Sequence, residues 1–316
     1  MLWLTYRQHR VELSALLFVA VALAALVSYA GIQELVLRTN LGLDSCMDRL
    51  RDQACANLLR TYLDQRSPLQ GLYIVLLAFP ALVAAFIGGP LFSRDFERGT
   101  HRLVWTQGKT RVRWVASKLI GFVIVAVAAA AILVAVRGYS LPLIGPGTMS
   151  PFMTFDVDGP AFVAYIVFAV TLGAALSALL RRSVLAMLLS LLAFVGVRLA
   201  VQTYLRPNFQ PPLVWDVRGA LPADAWDLQL RYVTANGMDV PMSKVHSLMG
   251  NFSGAVAEPF QFNMNAYFAA NDVFSVHLYQ SAERYWLFQS IEAALFLAAS
   301  VVLVALTVWI IKVRAA

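Results

Sequence analysis

Residues 161–204 read AFVAYIVFAVTLGAALSALLRRSVLAMLLSLLAFVGVRLAVQTY, two long apolar runs divided only by Arg181 and Arg182. A helix rises 1.5 Å per residue, so a run of about twenty apolar residues crosses the ~30 Å hydrocarbon layer of a bilayer. Both runs in a single helix would overshoot that layer. The pair therefore predicts a tight hairpin of two membrane spans, 161–180 and 183–204, with its two arginines at headgroup level. Working outward, four further apolar runs occur at 13–33, 70–92, 119–136 and 286–311. Six spans are expected.

Composition supports the same class. Of 316 residues, 59% are apolar and 14% charged, with a mean hydropathy of +0.67. A soluble domain carries roughly 45–50% apolar and about 25% charged residues, so this chain holds more apolar surface than a soluble core absorbs. The net charge of +7 lies in short clusters between spans, without a basic stripe interleaved with aromatics, which argues against nucleic acid as a partner. The fold class expected is an all-α polytopic membrane protein with a small mixed α/β extracellular lid between spans five and six.

Basic residues beside the spans set the orientation. With a cytosolic N-terminus, the inner segments hold Arg7, Arg10, Arg94, Arg98, Arg102, Lys109, Arg111, Arg113, Lys118, Arg181, Arg182, Lys312 and Arg314, against only Glu12, Asp95 and Glu97. The outer segments hold more acids than bases. Both termini are thus expected in the cytosol. A rival reading takes residues 1–30 as a signal peptide, since Ser28-Tyr29-Ala30 resembles a cleavage site. Its long apolar core and Glu12 disfavour it.

The chain divides into an interfacial helix and first span (1–36), an extracellular loop (37–69), spans two to five (70–204) with a cytosolic loop at 93–118, an extracellular lid (205–285), and the last span with its tail (286–316). Residues Leu2 to Arg10 suit an amphipathic helix on anionic membrane lipid, or plain flanking anchorage. Cys46 and Cys55 are a candidate disulfide. On one straight helix they would lie ~13 Å apart, so a bond requires a turn between them. In the lid, Leu228 to Val233 alternate, and Asn236-Gly237 precedes Met238-Asp239-Val240. This predicts a β-hairpin.

The loop after span two reads Ser93-Arg94-Asp95-Phe96-Glu97-Arg98-Gly99-Thr100-His101-Arg102 and runs on through Lys109, Arg111 and Arg113 to Lys118. Ser93 suits a helix cap, Asp95 the first turn, and Gly99 the left-handed residue that ends a helix. So short a helix buries no core, so it is expected to present Asp95, Glu97, Arg98 and Arg102 to the cytosol, with Phe96, Leu103 and Trp105 packed under the membrane.

This segment resembles the permease subunits of type 2 ABC exporters, in which Glu-x-Gly-Thr closes a cytosolic coupling helix and a lysine opens the next span. The matching residues are Glu97, Gly99, Thr100 and Lys118. The basic-aromatic N-terminus, the six spans and the stretch Tyr279 to Gln289 extend the likeness, the last looking like actinobacterial members. The resemblance implies a bacterial plasma-membrane permease that pairs with a second copy or a related permease and sits on separate ABC ATPase subunits holding ATP and Mg. It also implies that Asp95, Glu97, Arg98, Gly99, Thr100, His101 and Arg102 couple to the ATPase, and that the cargo is amphipathic or hydrophobic.

Cofactor and catalytic motifs are missing from the sequence. Gly108-Lys109-Thr110 mimics the end of a phosphate-binding loop, but the glycine it needs at position 103 is Leu. No HExxH pair occurs among His9, His101, His246 and His277, and the serine of Gly250-Asn251-Phe252-Ser253-Gly254 has the wrong spacing for a nucleophile elbow. Arg198 and Glu292, near the outer ends of spans five and six, are a candidate intramembrane pair. Snorkelling of Arg198 is the alternative. Gly173, Ala174 and Ser177 suit close helix packing. A contrasting reading of the whole chain is a non-transporting sensor or assembly factor with a ligand-binding lid.

Overall fold

The computed structural model describes residues 2–42, 53–66, 70–100, 110–140, 150–216, 221–222, 224–252 and 266–314. They form two units by internal contact. The first spans Met1–Pro146, Met153–Thr203 and Trp286–Ala316 and holds the apolar helices. Among the described residues, six helical stretches are long and apolar enough to cross a membrane: His9–Asn40, Gly71–Glu97, Arg111–Gly138, Gly159–Leu180, Ser183–Asn208 and Ala282–Val313. The chain is a polytopic α-helical membrane protein, and each expected span coincides with one of these helices, the second beginning one residue later than expected.

Helix α1 (Leu2–Asn40) breaks at His9, where φ and ψ are −115° and 19°. The break separates a short leading helix from the first span. α2 (Gln53–Arg66) follows and is joined to α1 by the Tyr62 hydroxyl, which donates to Glu34 Oε1 at 2.6 Å. Cys55 on α2 is buried and disulfide-bonded, and Cys46, the only other cysteine of the sequence, lies outside the described residues.

The second span is not one regular helix. α3 (Gln70–Val83) contains Pro80 and passes into a π-helical turn, Ala84–Gly88, and then into α4 (Pro90–Glu97). Pro90, just after this turn, has no N–H to donate back into it, which favours a departure from the regular ladder there. Ser93, expected to cap a new helix, is instead fully buried inside α4, and its hydroxyl donates to the carbonyl of Gly89 at 3.0 Å. The start of α4 is set by Pro90 at the first helical position after Gly89.

α5 (Arg111–Ser140) packs along α1, and α6 (Gly159–Leu180) is the buried centre of the unit. Phe162, Tyr165, Ile166 and Val170 of α6 are fully buried. Rings join α6 to its neighbours: Phe168 meets Phe194 of α7 (Ser183–Ala200) at 6.0 Å and Phe296 of the last span at 5.1 Å. The turn between α6 and α7 is the tight hairpin expected from the sequence. Arg181 adopts a left-handed conformation (φ 56°) and its N–H donates to the Ser177 carbonyl at 3.1 Å, so a two-residue turn reverses the chain.

The second unit, Gly147–Phe152 and Tyr204–Tyr285, is a three-stranded antiparallel sheet with a helix. Strands β1 (Leu213–Asp216), β2 (Trp226–Val233) and β3 (Phe274–Gln280) lie in the order β1-β3-β2. The Asn236-Gly237 turn forms, with Gly237 at φ 78°, but only Val233 and Asp239 bridge across it. Pro241 ends the return arm and opens α8 (Met242–Phe252), so β2 pairs along its length with β3 instead. Val240, Val245, Leu248, Phe268 and Val273 form this unit's core. The last helix, α9 (Tyr285–Arg314), leads into the sixth span.

Candidate functional site: the end of the second span

α4 is held on several sides by side chains from other spans. Asp95 forms an ion pair with Lys118, whose side chain is 3% exposed. The Lys118 ammonium also donates to the Leu91 carbonyl at 3.3 Å and stands 5.2 Å over the Trp114 ring, while Phe92 and Phe96 meet that ring at 5.3 and 6.3 Å. A buried ammonium needs both a counter-charge and a full set of acceptors. α4 supplies the Asp95 carboxylate and the Leu91 carbonyl, so the start of α5 is tied to it.

Glu97 makes the second connection. Its Oε1 accepts the N–H of Ser183 at 2.8 Å and its Oε2 accepts the Ser183 hydroxyl at 2.7 Å. The carboxylate therefore caps the N-terminus of α7, where unpaired N–H groups and the helix dipole favour an anion. Nearby, Arg181 lies 5.1 Å over the Phe96 ring. Ser177 of α6 accepts the N–H groups of Phe92 and Ser93 at 2.9 and 2.7 Å. Arg94 pairs with Glu12 of α1, whose other oxygen meets His9 Nδ1 at 2.7 Å.

Asp95, half-buried, and Glu97, exposed, thus engage their carboxylates with neighbouring spans of the same chain. Spacing alone does not show that Lys118 and Ser183 lie within reach. Gly99 ends α4 at φ 68°, and the Thr100 hydroxyl donates to Asp95 Oδ1 at 3.1 Å. Arg98 is exposed. His101 and Arg102 lie outside the described residues.

A second polar cluster joins the other ends of α6, α7 and α9. Arg198 is 6% exposed, and its Nη2 lies 2.7 Å from Asp156 Oδ1. The guanidinium covers the Tyr165 ring at 3.7 Å, and the Tyr165 hydroxyl donates to Glu292 Oε1 at 2.6 Å. Arg198 and Glu292 therefore share one cluster, joined through Tyr165. Burial of Arg198 rules out snorkelling to open water. Asp156 and Tyr165 are the members that sequence reading missed, since Asp156 sits in a short 3-10 turn outside any span (Phe155–Val157). Gln289 braces the same turn, donating to the Phe155 carbonyl at 2.9 Å and accepting the Ala161 N–H at 3.0 Å.

Beside this cluster, burial raises the pKa of Asp158 above its ordinary 3.8, opposed by the neighbouring Thr154 and Arg137. Arg137 Nε is 3.6 Å from Asp158 Oδ1. A carboxyl whose folded pKa is raised favours the fold most when protonated, and that contribution is lost as pH rises from its ordinary value through the raised one. Thermal melts of the purified protein are expected to show falling stability across that window, and Asp158→Asn to flatten it. An unchanged slope in the variant would assign the dependence to another group.

Among the described residues no group of three or more His, Cys, Asp or Glu is placed to hold a metal. Six apolar helices among the described residues, with a buried central helix and a polar knot at the end of the second span, define a polytopic membrane protein. A family model described as "ABC-2 membrane transporter related" matches residues 16–206. The chain belongs to that family and is an ABC-2 permease-type membrane component. No curated protein and no solved structure matches it.

Proposed function

We propose that this chain is the membrane-spanning half of an ATP-driven exporter, receiving work at α4 from a separate ABC ATPase that binds ATP and Mg. One observation carries this reading: the two carboxylates of α4 bind the starts of two different spans, Asp95 to Lys118 of α5 and Glu97 to Ser183 of α7. A displacement of α4 therefore moves both spans together, the rigid-body linkage that a switch between two packed states requires. Asp95 and Glu97 pass the movement inward. Arg98 and Thr100, exposed at the helix end, with Gly99 as its stop and His101 and Arg102 beyond it, form the face that meets the ATPase.

The family supports an ATPase partner, and the basic clusters at 94–118 and 181–182 support cytosolic placement of this end and of both termini. The permease then acts as a pair with a second copy or a related chain, in a bacterial plasma membrane of the actinobacterial type, on amphipathic or hydrophobic cargo.

Purification of the tagged chain with the product of an adjacent ATPase gene tests the reading. Glu97→Ala is expected to leave the complex assembled and to lower cargo-stimulated ATP hydrolysis about tenfold, a loss of ~1.4 kcal/mol in coupling. Gly99→Pro, which cannot adopt φ 68°, is expected to do the same or worse. Full stimulation in both variants would remove α4 from the coupling path, and absence of any ATPase would favour a sensor or assembly factor.

A further inference from the structure

An open groove of about 620 Å³ lies where α4 meets the α6–α7 turn, lined by Glu97, Arg181, Arg182, Val184, Leu185 and Leu188. We propose that it holds the headgroup of an anionic phospholipid, with an acyl chain laid along α7. Its polar end has two guanidinium groups and a single carboxylate. Both oxygens of that carboxylate already accept hydrogen bonds from Ser183. Arg181 is steadied by the Phe96 ring, and Arg182 is exposed. The lining thus presents net positive charge with planar donors, and guanidinium pairs with phosphate through two parallel hydrogen bonds.

The apolar end continues into a stripe. Val184, Leu188, Leu192, Val195 and Leu199 are 80%, 52%, 57%, 39% and 54% exposed and follow the i, i+4, i+8, i+11, i+15 spacing of one helix face. The stripe runs ~23 Å at 1.5 Å per residue, more than one leaflet's half of the ~30 Å hydrocarbon layer. An apolar stripe alone suits any lipid tail. Two arginines at its end select a negatively charged head, and the inner leaflet supplies such lipids. This placement rests on the cytosolic orientation proposed above. Because the headgroup would sit against Glu97 and Arg181, its presence would bear on the α4–α7 connection.

Native mass spectrometry of the purified full chain, offered equal amounts of phosphatidylglycerol and phosphatidylcholine of the same acyl composition, tests the site without any ATPase. Failure here and failure of the transporter reading are therefore separate results. The expected outcome is at least a fivefold preference for phosphatidylglycerol, reduced below twofold by Arg182→Gln and kept by Arg182→Lys. Inorganic phosphate alone is expected not to displace the lipid. Equal retention of both lipids overturns the proposal, as does a preference that Arg182→Gln leaves intact or that inorganic phosphate abolishes. Spontaneous, complete cross-linking of Leu188→Cys between two copies would place a second protomer on the stripe and overturn it as well.

Discussion

Replacing Gly173 with leucine is expected to abolish accumulation of folded protein, and even Gly173→Ala to lower the melting temperature markedly. A Cβ at this position would lie 2.5 Å from both the Cα and the carbonyl carbon of Gly88 and 2.7 Å from the Ala84 carbonyl oxygen. The converse holds at Gly88, where a Cβ would approach the Gly173 Cα to 2.8 Å. These are backbone atoms, so no rotamer change relieves the clash. Overpacking costs roughly 1–3 kcal/mol where side chains can yield, and a loss above ~3 kcal/mol is expected where α6 and the π turn must separate. Small residues let helices approach closely in lipid, where apolar burial gives little drive for association. The contrast is Gly196 on α7, with nothing within 4 Å of its Cβ position. There Gly196→Ala is expected to be neutral or to stabilise by about 0.5–1 kcal/mol through helix propensity. Equal melting temperatures for Gly173→Ala and Gly196→Ala in detergent would contradict the close crossing.

The second large effect is expected at Arg198. Removing one partner of a buried pair leaves an uncompensated charge, at a cost of roughly 3–5 kcal/mol. Arg198→Ala removes the guanidinium 2.7 Å from Asp156, and Asp156→Ala leaves the guanidinium over the Tyr165 face without that carboxylate. Each single variant is expected to lower the unfolding temperature substantially. The double variant Arg198→Met with Asp156→Leu is expected to recover much of the loss, because it removes both charges from a low-dielectric site. A double-mutant cycle in which the two losses simply add would show that the residues do not interact.

Several features of the fold were legible along the chain. Gly99 ends α4 at positive φ, and the Arg181-Arg182 break is a two-residue hairpin, because each depends on a few neighbouring dihedrals. The Asn236-Gly237 turn also formed, but β2 took β3 as its partner, some forty residues later, since Pro241 leaves the nearer arm too short. The π turn at Ala84–Gly88 has no periodic signature in the sequence. At the candidate site, the sequence marks Glu97, Gly99, Thr100 and Lys118 as a spaced set and Ser177 as a packing residue, but not that Ser177 and Ser183 hold α4 in place.

The chain's sequence alone determined that it lives in a bilayer as six helices, because span length and apolarity are properties of each segment measured against a fixed membrane thickness. Only the tertiary structure decided which polar groups meet: Asp95 with Lys118, Glu97 with Ser183, Arg198 with Asp156, and Tyr165 with Glu292. Two of these pairs lie 86 and 127 positions apart. Their pairing is set by how the helices cross and rotate against one another, and that follows from packing over the whole bundle.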